Sequence, residues 1–186
     1  GTLDATAQGT PTFNADRGYT GNGTTAYIAT GYIPSSAGLG MTQDNAHYAA
    51  RSLSSAAAGA TNRLLGNGTA TTPRSTLLPR NTSDLFNGIV NDATNASLAN
   101  ASTLGQFLSR RSAANAREFF RNATSLGSSS TASTGLPTTE VVFLKDTTNF
   151  SSLQVASGSI GQSLTDVQVM AYYNAELAYM QAVGAA

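Results

Sequence analysis

His47 is the one histidine of the chain, so any Ser-His-Asp relay would have to run through it. Asp44 stands three residues before it on the same short segment, and no Gly-x-Ser-x-Gly elbow occurs. A histidine without those companions serves as a structural or ligand contact. The ten acidic residues are scattered. A glycan-cleaving site needs two carboxylates facing each other across a groove, about 5–10 Å apart. Glu118 and Glu140 stand alone, and no predicted strand alternates acidic residues along one face. Phosphate-cradling glycine motifs are missing as well. These patterns point to binding or structure, not to an enzyme.

Four groupings carry binding chemistry. Asp44-Asn45 and Asn91-Asp92 are short oxygen-rich clusters. Calcium takes about six to eight oxygen ligands, so calcium is the one cofactor they bring into view. The competing reading is a turn closed by side-chain-to-backbone bonds. Arg110-Arg111, with Arg117 and Arg121, is the densest charge. On adjacent strands, alternate arginines would line one sheet face and meet a sialylated or phosphorylated glycan bidentately. Alternatively they form a solvated face or pair with Glu118 and Asp92. Tyr27, Tyr32, Tyr48, Phe119 and Phe120 have the area to stack on sugar rings or to fill a core. Phe119 and Phe120 are adjacent, so on a strand they point to opposite faces. The candidate ligand contacts are Asp44, Asn45, His47, Tyr48 and Arg110, with no metal ligand set among them.

Those residues must be held by β-strands. Thr25–Ile33 is rich in β-branched and aromatic types and stops at Pro34. Shorter strands are predicted at Ala46–Arg51, Arg63–Leu65, Thr76–Leu78, Leu85–Val90, Gln106–Arg111, Arg117–Arg121, Val141–Leu144 and Leu153–Ile160. Turn clusters separate them, a pattern that implies a sandwich or barrel. Residues 1–24 read as turn-rich, ending in Asn22-Gly23 at a type I′ hairpin turn. Ser52–Ala60 is a helical turn or a loop, and Ser125–Gly135 is a mobile surface loop. One helix is predicted over Leu164–Val183. Ser163 is its N-cap, Asp166 closes a capping box, and Gly184 terminates it. Val167, Met170, Ala171, Leu177 and Ala178 would form its apolar face.

The 186 residues suit a single domain spanning 1–186, large enough for one core. Ten basic and ten acidic residues cancel. That balance leaves no electrostatic footprint for nucleic acid or an anionic membrane surface. No apolar run is long enough to insert into a membrane as a helix. With no cysteine, disulfides and thiolate metal sites are excluded. Charged residues make up only 11% of the chain, so Ser, Thr, Asn, Gln and Gly must cover the surface. The first residue is Gly1, so either an initiator methionine was removed or the chain is part of a longer one.

The stretch from Phe13-Asn14-Ala15-Asp16-Arg17-Gly18-Tyr19 through Gly31 resembles a module recurrent in bacteriophage and prophage virion proteins. The likeness resumes at Met41–Tyr48, returns at Phe107–Ala113 and Phe119–Asn122, and closes at Ser159–Val169 ahead of a terminal helix. Residues 52–105 carry none of it. The resemblance implies a concanavalin A-like (laminin G-like) fold: an all-β, antiparallel two-sheet jelly-roll sandwich with one C-terminal α-helix. It implies a virion structural protein, a receptor-binding adhesin of tail-fibre or decoration type whose partners are a host surface glycan and other virion proteins. Its alternative is a purely structural capsid or tail building block without a glycan ligand. Either would be a homo-oligomer located on the extracellular particle.

Overall fold

The computed structural model, which describes residues 4–36, 40–68 and 73–185, pairs the strands into two seven-stranded sheets. One sheet holds β1 (Thr6–Gln8), β4 (Tyr27–Ala29), β13 (Val142–Phe143), β6 (Leu65–Gly66), β7 (Arg74–Leu78), β8 (Leu85–Asp92) and β9 (Ala96–Ala99), in that order. The other runs β12 (Thr124–Ser129), β11 (Ala116–Arg121), β10 (Gly105–Ala113), β5 (Ala46–Ser52), β14 (Gln154–Gly161), β3 (Gly18–Thr20) and β2 (Thr12–Asn14). All the neighbouring pairs are antiparallel. This is the expected all-β jelly-roll sandwich, and a single helix, α1 (Asp166–Ala182), follows the last strand.

Strand alternation explains the layering. Ala46, Tyr48 and Ala50 of β5 enter the core between the sheets with Phe107, Phe119, Phe86, Leu65 and Leu77. Phe86 stacks on Phe107 with ring centroids 5.9 Å apart and tilts against Phe119 at 5.8 Å. Each such ring, fully buried, contributes roughly 1.5–3 kcal/mol. The alternate residues Ala49, Leu108 and Phe120 face outward and form a second cluster with Val169 of the helix. Phe119 and Phe120 therefore divide as predicted, one into the core and one beneath α1.

The helix departs from its predicted frame. Its N-cap is Thr165, not Ser163. The Thr165 side chain accepts from the Gln168 amide, and Gln168 Oε1 accepts from the Thr165 amide at 2.8 Å, closing the box two residues later. The buried face is Val169, Glu176 and Met180 with Tyr172 and Tyr173 half-buried, whereas Val167 of the predicted apolar stripe is 79% exposed. Apolar residues lie all around this helix, so the side that docks is selected by the sheet beneath it. Gly184 ends the helix as expected, at φ +68° with its amide on the Gln181 carbonyl.

Four other expectations are corrected. The Thr25–Ile33 strand shrinks to Tyr27–Ala29, because Thr30 turns its hydroxyl to the Val141 carbonyl and Gly31 takes φ +71°. Asn22-Gly23 is not a hairpin turn: only Gly23 has positive φ, and β3 and β4 belong to different sheets. Instead Asn22 Oδ1 accepts the amides of Thr24, Thr25 and Ala26, holding the crossing between sheets. The start of the Ser125–Gly135 segment is a strand, β12, formed by a hairpin whose turn residues Asn122 and Ala123 both have positive φ. Residues 1–24, read as turns, contain β1, β2 and β3. Of Ser52–Ala60, Ser52 closes β5 and residues 53–60 form a loop after it.

Candidate functional site

The predicted ligand contacts cluster at one end of β5 but are mostly taken up by internal bonds, Tyr48 in the core and His47 and Arg110 on the outer face near α1. Tyr48 is fully buried in the sandwich, its hydroxyl donating to Asn91 Oδ1 at 3.2 Å. Stacking on a sugar is therefore closed to it. Asp44 accepts the Ser133 hydroxyl at 2.5 Å, and Asn45 Oδ1 accepts the Ser163 amide at 2.8 Å. Arg110 is committed to Glu118, to Asp166 at 2.5 Å and to the Leu164 carbonyl. Its guanidinium ties the start of α1 to the sheet. Arg110 and Asn45 do line a small hollow beside that helix start.

His47 lies buried between β5, β14 and the approach to α1. A backbone carbonyl only accepts, so Nδ1 carries the proton toward the Gln162 carbonyl and Nε2 accepts from the Ser159 hydroxyl at 2.8 Å. Burial pulls its pKa below the ordinary value of 6.5, opposed by the bond to Gln162. Below pH 6.5 the unfolded chain takes a proton that the folded chain refuses. Stability is thus fully present above pH 6.5 and falls as the pH drops toward the folded pKa. Urea midpoints should decrease from pH 7.5 to pH 5 in the wild type and change less in His47→Gln. Equal decreases would remove His47 from the account.

The arginine cluster is divided between the two faces of its strands. Arg111 and Arg117 point into the sandwich, both fully buried, and share Asp92 Oδ2 at 2.8 and 2.7 Å. Burial lowers both guanidinium pKa values and Asp92 opposes that shift. The oxygen-rich clusters are likewise occupied internally. Asp92 takes the two arginines and the Thr94 amide, and Asn91 Oδ1 takes the hydroxyls of Tyr48 and Ser75. Among the described residues no three His, Asp or Glu side chains converge.

An aromatic groove with exposed rings lies elsewhere, along the edge where β2 and β3 of one sheet approach β1 and β4 of the other. A groove of about 470 Å³ is lined there by Phe13, Asp16, Tyr19, Phe143, Ser157 and Tyr179. Phe13 is 62% exposed and Tyr179 57% exposed. Phe13 and Tyr19 sit with centroids 5.1 Å apart at 51°, giving two tilted ring faces. The turn between β2 and β3 uses Asp16 at φ +59° and Gly18 at φ +78° and presents the Asp16 carboxylate at the rim. Such a site offers apolar faces for stacking and a few convergent polar groups for orientation. Its sequence signal was Thr12-Phe13-Asn14 and Gly18-Tyr19-Thr20 flanking an Asp-Arg-Gly turn, read as mere turn.

The arrangement is a two-sheet jelly-roll β-sandwich with an aromatic groove at its edge. Solved structures share that fold. The binding domain of botulinum neurotoxin serotype D matches with TM-score 0.61 and 10% identity, covering 94% of this chain and 47% of that one. A structure of botulinum neurotoxin type C, whose uptake into cells depends on interaction with two ganglioside molecules, matches with TM-score 0.65 and 8% identity, covering 93% and 46%. Trypanosoma rangeli sialidase in complex with 2,3-difluorosialic acid gives TM-score 0.64 and 15% identity over 95% of this chain and 30% of that one. The chain thus spans less than half the length of these proteins. No family model matches it, and no curated protein matches it in sequence.

Proposed function

We propose that the chain is a glycan-binding adhesin module carried on a bacteriophage virion. The groove of Phe13, Tyr19 and Tyr179 carries the glycan reading, because large exposed rings converging with a rim carboxylate match the two faces of a sugar, apolar C–H and polar hydroxyl. The fold is shared with neurotoxin binding domains, one of them solved in complex with SialylT. The virion setting is supported by the sequence resemblance and by a surface poor in charge. Binding is favoured over cleavage here, since Asp16 is the sole carboxylate among the described residues lining the groove and hydrolysis needs two. Avidity from many copies on one particle would compensate for shallow individual sites.

Glycan arrays of host surface polysaccharides test this. Phe13→Ala and Tyr179→Ala should each weaken array binding by roughly tenfold, the loss of one aromatic contact, while thermal midpoints stay within a few degrees. Binding untouched by both would remove the groove from the proposal. A second reading, a structural virion building block, is favoured by one observation: Val167 and Met170 leave an apolar strip exposed on the outer side of α1. Silence on the array, with self-association lost in Val167→Asp, would select it.

A further inference from the structure

A second hollow of about 420 Å³ lies where the ends of β5, β10 and β11 meet α1, lined by Arg17, Arg51, Arg121, Asn122, Tyr173 and Leu177. Three guanidiniums in one cavity is unusual for this chain. Arg63, Arg80, Arg110, Arg111 and Arg117 each meet a carboxylate elsewhere. Here Glu176 meets Arg51 at 2.9 Å. That carboxylate is already taken by the Gln106 amide at 2.7 Å and the Ser157 hydroxyl. Among the described residues neither Arg17 nor Arg121 has a carboxylate within 4.0 Å. Among the described residues the count at the hollow is three arginines against one glutamate.

The guanidiniums are also positioned in advance. Arg17 Nη2 donates to the Gly184 carbonyl at 3.0 Å. Arg121 donates from Nε to the Leu104 carbonyl and from Nη2 to the Ser102 hydroxyl, each at 3.0 Å. Each guanidinium has five N–H groups, so both keep donors in reserve. Arg51 is only 5% exposed, lies 5.7 Å from the Tyr173 ring centre, and leaves Nη2 with no partner. Tyr173 and Leu177 supply an apolar wall for the body that bears the anion.

We infer that this hollow takes the carboxylate of an acidic sugar. The inference rests on the glycan reading above and extends it: Asp16 lines the aromatic groove and its neighbour Arg17 lines the hollow, so the turn between β2 and β3 borders both. Carboxylate is favoured because a planar guanidinium pairs with it through two parallel bonds.

The test is an amide-resolved NMR titration of the whole chain with methyl glucuronide and sialyllactose, against neutral methyl glucoside and lactose. Both acidic probes should shift amides around Arg121 and Tyr173, with affinity falling about tenfold or more in Arg121→Gln and in Arg17→Gln, the scale of a charge-assisted bond. The neutral probes should be unaffected by either substitution. Both arginines sit at the rim, and unchanged thermal midpoints will confirm folding. Acidic shifts that arise elsewhere, or that survive both substitutions, would overturn the inference, as would no acidic binding. Tighter binding of glucose 6-sulfate than of the glucuronide would overturn the carboxylate assignment. Neutral sugars held at Phe13 with no acidic preference would remove this hollow alone and leave the groove standing. Acidic binding here with a silent groove would do the reverse.

Discussion

Asp92→Asn is expected to destabilise the protein by about 3–5 kcal/mol, the usual result of breaking a buried ion pair from one side. Against a typical total of about 5–15 kcal/mol, that is enough to unfold much of the population on mild warming. Asp92 is fully buried between Arg111 and Arg117, and its Oδ2 accepts from both. Asparagine keeps the shape and the Thr94 amide contact but removes the charge. Two buried guanidiniums would then share the site with no carboxylate in contact. The remaining partners of Arg111, the carbonyls of Val90, Ala113, Ala114 and Thr131, satisfy hydrogen bonds and do not neutralise it. Urea denaturation measures the loss. Asp166→Asn is the contrast. Asp166 also meets an arginine, but its side chain is 82% exposed, and exposed pairs contribute about 0–1 kcal/mol. Similar losses from the two substitutions would mean that burial does not govern these pairs. Replacing Asp92, Arg111 and Arg117 together by apolar residues of matching size should recover much of the stability.

The same triad shows what a sequence can and cannot disclose. Arg111 and Arg117 were legible as strand residues opposite possible acidic partners, and Asp92 was one of the two named. What was not legible is that they face inward. Strand alternation gives two faces but does not say which is covered, and β5 and β10 are covered on both. Their outer face lies under α1, so His47 and Arg110 are buried although they point away from the core. The central strands and the terminal helix were readable because long apolar alternation and caps are local signals. The two- and three-residue strands were mostly not, since a strand that short is made by its neighbours: β1, β2 and β3 exist because the β4 and β14 edges accept them. The groove combines Phe13 with Tyr179, far apart in the chain, and no local pattern encodes that meeting. The helix face was misread for a related reason. Its apolar residues are spread around the axis, and the residue that sets its orientation is a glutamate, Glu176, whose partner Arg51 lies on β5.

Glu176 carries the other large expected effect, and this one should be local. The side chain is buried under α1, where it meets Arg51 and accepts from Gln106 and Ser157. Glu176→Ala leaves Gln106 and Ser157 without their acceptor and Arg51 without its counter-charge at the helix–sheet contact. Losing one side of such a buried pair costs about 3–5 kcal/mol. The apolar contribution to docking is small, chiefly Val169 and Met180 with part of Tyr172. A helix of 17 residues detached from its sheet is marginal in water. The chain should therefore release α1 before the sandwich opens, as elements of low local stability do. Hydrogen exchange should lose protection over 166–182 while β5, β10 and β14 retain theirs, and proteases should cut first in this segment. Protection lost uniformly would make the helix part of one cooperative unit, and protection unchanged would deny Glu176 any role in docking. Because Tyr179 walls the aromatic groove and Tyr173 walls the arginine hollow, release of α1 would dismantle both at once. A ligand bridging the two sites should in turn raise the protection of α1 in the wild type, since it binds only the docked form.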